Sequence, residues 1–517
     1  MAFPVTRRAF LKTSGLLAGA AALPFGAMNP AFAARERITL RIARDFQSLD
    51  PANRVSYIEE GIIRACTQKL IAFKKGQFEW ELDAAKSIEK VSQTEISFEL
   101  KPGQMFTGGY GEMTAEDVKF SFERFATAGP NGTKSEYASD WAALDKVEVT
   151  GKYTGKILLT KPAPSLWLTT LPDGSGTIIS KKAFTELGDK VKTTLIGSGP
   201  YQIAEWVPNQ KIVLRANPDY KGPKPSFNEV VLRPIADPKT AELAFRANEL
   251  DFTVIEPASA KEFEKIAGTK VINLDSINFV WIGMNVEKAP LNDIKVREAI
   301  RKAIDVDEVV LAAFNGAVKP ARSIIAPGLL GYWKDAPVYK RDVAGAKKLL
   351  AEAGVKPGTK LKLTLLNRPA YQTAGVVIQA MLQEVGIDLT LEVLDGGAFW
   401  SVGKGEAGKN LELSLQRFGG KADPAFHTQW FVKEQIGVWN WQRWDSPEFD
   451  KIYNEAASAS AVARRNELYI ELQKVMDKSA AFIWLTHEAN VFATKQWLDP
   501  AILPNGDDLQ YSLFKEV

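Results

Sequence analysis

Between residues 361 and 393 the hydrophobic period changes from two to about 3.6 and back to two. Leu361, Leu363 and Leu365 alternate with Lys362 and Thr364, residues 371–385 repeat at helical spacing and stop at Gly386, and residues 387–393 alternate again. Strand, helix and strand in that order form the unit that sets parallel strands side by side, which places this part of the chain in an α/β domain. The surrounding segments agree. Val296, Ala299, Ile300, Ala303 and Ile304 make one helical stripe, residues 342–353 predict a helix ended by Gly354, and Leu468, Leu472, Val475 and Met476 share a face in a mainly helical stretch over 447–476.

Upstream the elements are shorter. Residues 38–42 and 95–100 alternate as strands, the second ending at Lys101-Pro102-Gly103. Thr114-Ala115-Glu116-Asp117 has capping-box spacing, and Val118, Phe122 and Phe125 follow at helical intervals, so a helix lies on a sheet here. Strands at 147–149 and 157–159 complete a small mixed domain reaching to about residue 195. Gly197-Ser198-Gly199-Pro200 lacks the third glycine of a phosphate loop and carries a proline, so it reads as a tight turn. Strands at 212–214, 230–232 and 252–255 with a helix over 238–248 fill a second domain to 283. Three domains suit 517 residues at about 150 residues each.

The N-terminus carries Thr6-Arg7-Arg8-Ala9-Phe10-Leu11-Lys12, an uncharged Ala/Gly/Leu-rich run and a small-residue site at Ala31-Phe32-Ala33. That layout predicts an export signal cleaved near Ala33, because the apolar part is too short and too diluted to span a membrane. The paired arginines resemble a twin-arginine signal, which implies export of a folded protein to the periplasm by the twin-arginine machinery. The chain's charge of +3 equals the leader's Arg7, Arg8 and Lys12, so the rest is neutral and offers no footprint for nucleic acid. Cys66 is the sole cysteine, and His427 and His487 are the only histidines. No disulfide framework, metal centre or cofactor is expected, and both histidines read as structural.

Residues 417–444 concentrate Trp430, Trp439, Trp441 and Trp444 with Phe418, Phe426, Phe431 and Arg417. Flat apolar faces beside a few charges suit a pocket for a polar organic molecule, and they suit an aromatic core equally.

Ordered motifs decide between these. Ser48-Leu49-Asp50-Pro51-Ala52, Phe98-Glu99-Leu100-Lys101-Pro102-Gly103, Met113 to Ser121, Gly197-Ser198-Gly199-Pro200-Tyr201, Asn217-Pro218-Asp219-Tyr220, Asp293 to Ile300 and Ser446-Pro447-Glu448-Phe449-Asp450 occur in one sequence. Together they resemble the family-5 extracellular solute-binding proteins of ABC importers. The resemblance implies an α/β, two-lobed clamshell with an additional small mixed α+β domain. Residues 34–57, 196–283 and 485–517 would form lobe I, 58–195 the extra domain and 284–484 lobe II, with hinges near 282–285 and 484–488. A monomer would capture a peptide or other small molecule between the lobes and present it to ABC transporter permease subunits. Val55, Tyr57, Trp281, Trp400, Arg417, Phe418, Asp423, Trp439, Asn440 and Trp441 are the expected ligand contacts. In peptide binders of this group an aspartate four positions before the proline of Asp423-Pro424 captures the ligand's α-amino group, and Gly420 stands there. With Arg417 at the place of a pocket aromatic, the expectation is an acid-bearing solute held by the guanidinium.

Two other readings compete. A secreted hydrolase of glycans or peptides would use a carboxylate pair, which leaves no local signature, although the chain has no G-x-S-x-G elbow. A cofactor-loaded oxidoreductase lacks both a dinucleotide fingerprint and metal ligands. A binding protein without catalytic residues fits best.

Overall fold

The computed structural model describes residues 35–54, 56–127, 135 and 137–517; the expected leader and Val55 lie outside them. The first strand, β1 (Arg37–Ile42), buries Ile38, Leu40 and Ile42, leaves Arg37 exposed and holds half-buried Arg41 on the Ile235 and Ala236 carbonyls. Helix α1 (Tyr57–Cys66) starts at a capping box, in which Ser56 Oγ accepts from the Ile58 amide and Glu59 accepts from the Ser56 amide at 3.0 Å. Ile58, Ile62, Ala65 and Cys66 on α1 share a core with Ile38, Leu40 and Tyr201. This helix, expected in the extra domain, therefore packs with the first sheet, because its apolar stripe matches that sheet's face.

Four antiparallel strands follow: β2 (Ala85–Lys90), β3 (Glu95–Leu100), β4 (Leu144–Val149) and β5 (Thr154–Leu159), in the order β2-β3-β5-β4. Helix α2 (Ala115–Ala126), started by the Thr114–Asp117 capping box, packs Val118, Phe122 and Phe125 against Ile96, Phe98, Val147 and Ile157.

The chain then enters β6 (Tyr201–Val207), β7 (Lys211–Ala216), β8 (Glu229–Pro234), β9 (Phe252–Ile255) and β10 (Thr269–Asp275). The Gly197–Gly199 turn is pressed against the end of α1. A Cβ on Gly197 would sit 1.9 Å from the Cys66 carbonyl oxygen, so only glycine allows the approach.

A second sheet contains β11 (Phe279–Met284), β12 (Thr359–Leu366), β13 (Ile387–Leu394), β14 (Leu413–Phe418) and β15 (Phe482–Thr486), ordered β13-β12-β14-β11-β15. β12 and β13 are parallel and joined by α3 (Pro369–Glu384), as the period change requires. Gly386 has φ +88° and Gly354 φ +71°, the left-handed backbone expected beyond each helix. From β15 the chain returns as β16 (Ala489–Lys495) to complete the first sheet, β6-β7-β8-β1-β9-β16-β10.

Two short connections, 276–278 and 487–488, thus join the sheets. The expected boundary at 283/284 falls at the end of β11 instead of before it, and that at 484/485 cuts β15. All six residues of β11 are buried, so no alternation marked where it begins.

Candidate ligand-binding cavity

A cavity of about 500 Å³ opens where the two sheets and the four-stranded module meet. It draws Arg54, Ser56, Tyr57 and Glu60 from the start of α1, Tyr137 and Asp173 from the module, Arg417 to Lys421 from the end of β14, and Asn505, Asp507 and Asp508 from the C-terminal segment. Trp400, Phe426, Trp430 and Trp439 complete it.

One side is an aromatic wall. Phe418 lies at its centre, with ring centroids 6.2 Å from Trp400, 6.0 Å from Trp430 and 5.8 Å from Trp439. Trp430 and Trp439 meet Phe418 edge to face and Trp400 is tilted 30° to it, which fixes the rings and leaves apolar surface for a ligand to cover.

The other side is charged. Arg417 Nε donates to Glu488 at 2.8 Å and Nη2 donates to Asp507 at 2.6 Å. Tyr371, on α3, donates its hydroxyl to Glu488 at 2.7 Å. Burial raises the Glu488 carboxyl, yet Arg417 and Arg368 outweigh it and hold the group below the usual carboxylate range. Lys421 Nζ meets Asp173 at 2.9 Å, and Arg64 meets the other oxygen of Asp173, also at 2.9 Å. Asp173 is raised by burial but lowered further by Lys421, Arg64 and Arg54, so it is ionised. Arg54 Nε lies 2.8 Å from Glu60, and the Arg54 guanidinium stacks 3.6 Å from the Tyr137 ring centre. Asp508 goes the other way: burial, Asp173 and Glu60 push it up to about 6 against the pull of Arg64.

Of the expected contacts, Tyr57, Trp400, Arg417, Phe418 and Trp439 line this cavity. Four others do not. Trp281 is fully buried behind Phe418, at 5.0 Å between ring centroids, and supports the wall from the second layer. Asp423 starts the helix at Pro424–Thr428 through the Ala425 amide and is held by Arg465 at 2.7 and 2.9 Å. Asn440 donates to the carbonyls of Phe431 and Trp444, a loop clamp with no surface left over. Trp441 is buried against Phe399. Of the other two tryptophans in the stretch, Trp430 lines the cavity, while Trp444 packs with Phe449 and Phe482.

Arg417 reaches the cavity, but its guanidinium is engaged by two of the protein's own carboxylates; the expected free anion clamp is therefore corrected. Gly420 has a steric cause: a Cβ there would meet the Ile277 carbonyl oxygen at 2.3 Å and His427 Nε2 at 2.8 Å. The expected contacts did not include Glu60, Tyr137, Asp173, Lys421, Asp507 and Asp508, and Phe426 entered only as part of the aromatic stretch. The Asp507-Asp508 pair is visible in the sequence, but nothing local connects it with segments hundreds of residues away.

Two lobes built on mixed sheets, linked by two short connections and enclosing a cavity, define a periplasmic binding-protein fold with an extra module. The chain belongs to the bacterial extracellular solute-binding proteins, family 5, whose model matches residues 79–436. It is similar to the dipeptide-binding protein of Escherichia coli, with 27% identity over 396 residues covering 73% of this chain and 74% of that one. Its fold matches the ABC transporter-associated periplasmic binding protein DppA from Helicobacter pylori in complex with the peptide STSA, with TM-score 0.83, 25% identity and coverage of 93% and 98%. It also matches MoaA from A. tumefaciens R10 in complex with mannopinic acid, with TM-score 0.81, 26% identity and coverage of 93% and 100%. The protein is accordingly a solute-binding component of an ABC importer, in a family of binding proteins rather than enzymes.

Proposed function

We propose that this chain is a periplasmic receptor that captures a peptide or opine-like solute, bearing both an acid and a cationic group, and delivers it to the importer's permease. The observation that carries this reading is the cavity of about 500 Å³, apolar and aromatic on one side and lined by charges of both signs on the other. Tyr57, Trp400, Phe418 and Trp439 would contact ligand directly, and Arg417 would shape the charged side through Glu488 and Asp507. Two lobes and an extra domain, divided along the three main sheets with the lobes meeting at 276–278 and 487–488 in place of the boundaries expected from sequence, would let ligand stabilise the closed form by touching both lobes at once. Closure is the signal a permease can read. The Arg7-Arg8 leader would send the folded monomer to the periplasm through the twin-arginine route, with cleavage near Ala33.

The test is tryptophan fluorescence and calorimetry of the mature chain with the peptide Ser-Thr-Ser-Ala and with mannopinic acid, followed by recovery of the solute. Saturable binding of either, with the solute returned unchanged, is expected. Conversion of the solute to product, or no binding of peptides and opines alike, overturns the reading.

A further inference from the structure

The charged half of the cavity is not balanced. Beneath it Arg54, Arg64 and Lys421 face Glu60, Asp140, Asp173 and Asp508, and none of these side chains is more than 15% exposed. Each cation already has a close carboxylate: Arg54 has Glu60 at 2.8 Å, while Arg64 and Lys421 share Asp173 at 2.9 Å each. Asp140 and Asp508 have none at that range. Asp140, which does not line the cavity, accepts from the Ser175 hydroxyl at 2.5 Å and lies 3.7 Å from Lys421. Asp508 lines the cavity; its nearest cationic nitrogen is Arg64 Nη2 at 3.8 Å, and its close partner is the neutral Asn505 amide at 2.7 Å.

The neighbouring charges do not supply the missing one. Arg417 and Arg368 are matched by Glu488 and Asp507, and buried Lys69, which feels Glu60 first and Asp83 after it, enters together with buried Asp83 as one charge of each sign. Two phenols, Tyr57 and Tyr511, also face this region and stay neutral, since burial raises both. A buried carboxylate whose nearest cation lies 3.8 Å away and is shared with Asp173 and Glu60 is under-compensated, and a proton is the usual remedy. The upward push on Asp508 from burial, Asp173 and Glu60 is that remedy.

We propose that Asp508, backed by Glu60 and Asp173, receives the positive group of the ligand, an ammonium or guanidinium, while the aromatic wall covers a flat apolar part. This assignment rests on the receptor reading of the same cavity. It makes Asp508 a specificity-determining residue: the ligand's cation and the Asp508 proton compete, so binding a cation releases a proton. An acid-only solute would add to the excess of negative charge.

The experiment uses the mature chain and three probes sharing a phenyl group: phenethylammonium, 2-phenylethanol and 3-phenylpropanoate. Calorimetry and thermal shift are run at matched ionic strength near pH 8 and near pH 5. Phenethylammonium is expected to bind at least about tenfold more tightly than the alcohol, and the carboxylate most weakly. The preference for the cation should shrink at the lower pH, and Asp508→Asn should abolish both the preference and its pH dependence. Equal behaviour of the three probes, absence of binding by all three, or preference for the carboxylate overturns the assignment. If Asp508→Asn does not fold, the pH dependence in the wild-type chain decides alone: a preference that does not weaken near pH 5 overturns it. Ser-Thr-Ser-Ala and mannopinic acid separate the two claims, because their binding without any preference for the cationic probe leaves the receptor reading standing and removes only Asp508's role.

Discussion

Arg417 is a case in which one side chain has to be read through its partners. Removing it by Arg417→Met leaves Asp507 buried without its cation and Glu488 with only Arg368 at 4.0 Å, which should cost about 3–5 kcal/mol of stability. Urea denaturation measures this, and a loss under about 1 kcal/mol would show that the triad is not buried as described. The two histidines set the pH response. Burial pushes His427 and His487 down to about 4 from an ordinary 6.5. The unfolded chain therefore takes up protons as pH falls through 6.5 while the folded chain does not, so their contribution is complete above 6.5 and is lost towards about 4. Each contributes at most about 1.4 kcal/mol per pH unit in that window. Asp508 acts in the opposite direction, holding its proton in the folded state up to about 6 against an ordinary 3.8, and Asp83 and Asp450, also raised by burial, act with it. The histidine share is isolated by His427→Gln, which should lose less stability than the wild-type chain between about pH 6.5 and about pH 5. Equal pH slopes in the two proteins would contradict this assignment of protons.

At the scale of elements, the site depends on how helices and strands end. α1 begins at the capping box of Ser56 and Glu59, and Glu59 also binds Arg44 at 2.8 Å. Tyr57 and Glu60, in the first turn of α1, face the cavity because that turn is fixed. Ser56→Ala should cost about 1 kcal/mol of stability and weaken ligand binding by loosening both side chains. An unchanged melting temperature would show that Glu59 alone holds the turn. β14 ends at Phe418, so Arg417 and Phe418 point their side chains to opposite faces, one towards Glu488 and Asp507 and the other into the aromatic wall. Much at this scale was legible beforehand. The Thr114 capping box, the β12-α3-β13 unit and the glycines at 354 and 386 are where spacing put them, since each depends on contacts a few residues apart.

At the scale of the whole molecule, the connections at 276–278 and 487–488 lie beside the cavity, and the second carries Glu488, a partner of Arg417. Movement of one sheet against the other must pass through this junction, so ligand seated between them and the Arg417 triad report on the same motion. Small-angle scattering should show a smaller radius of gyration with a bound solute than without. Equal radii in both states would leave the protein a binder that does not close, and would remove the signal proposed for the permease.

The amino-acid order alone determined the class of fold, the order of the elements and the region of the aromatic wall, because period, capping and turn chemistry act over short separations and the motifs recur in sequence. Tertiary structure decided which aromatics face the cavity and what Arg417 does. Trp439 and Trp441 are two residues apart and similar in type, yet one lines the cavity and the other is buried against Phe399. The charge balance was likewise undetermined until Glu60, Asp173, Lys421 and Asp508 came together from four separate stretches. Coulomb energies depend on distance and burial in space, and neither is encoded in separation along the chain.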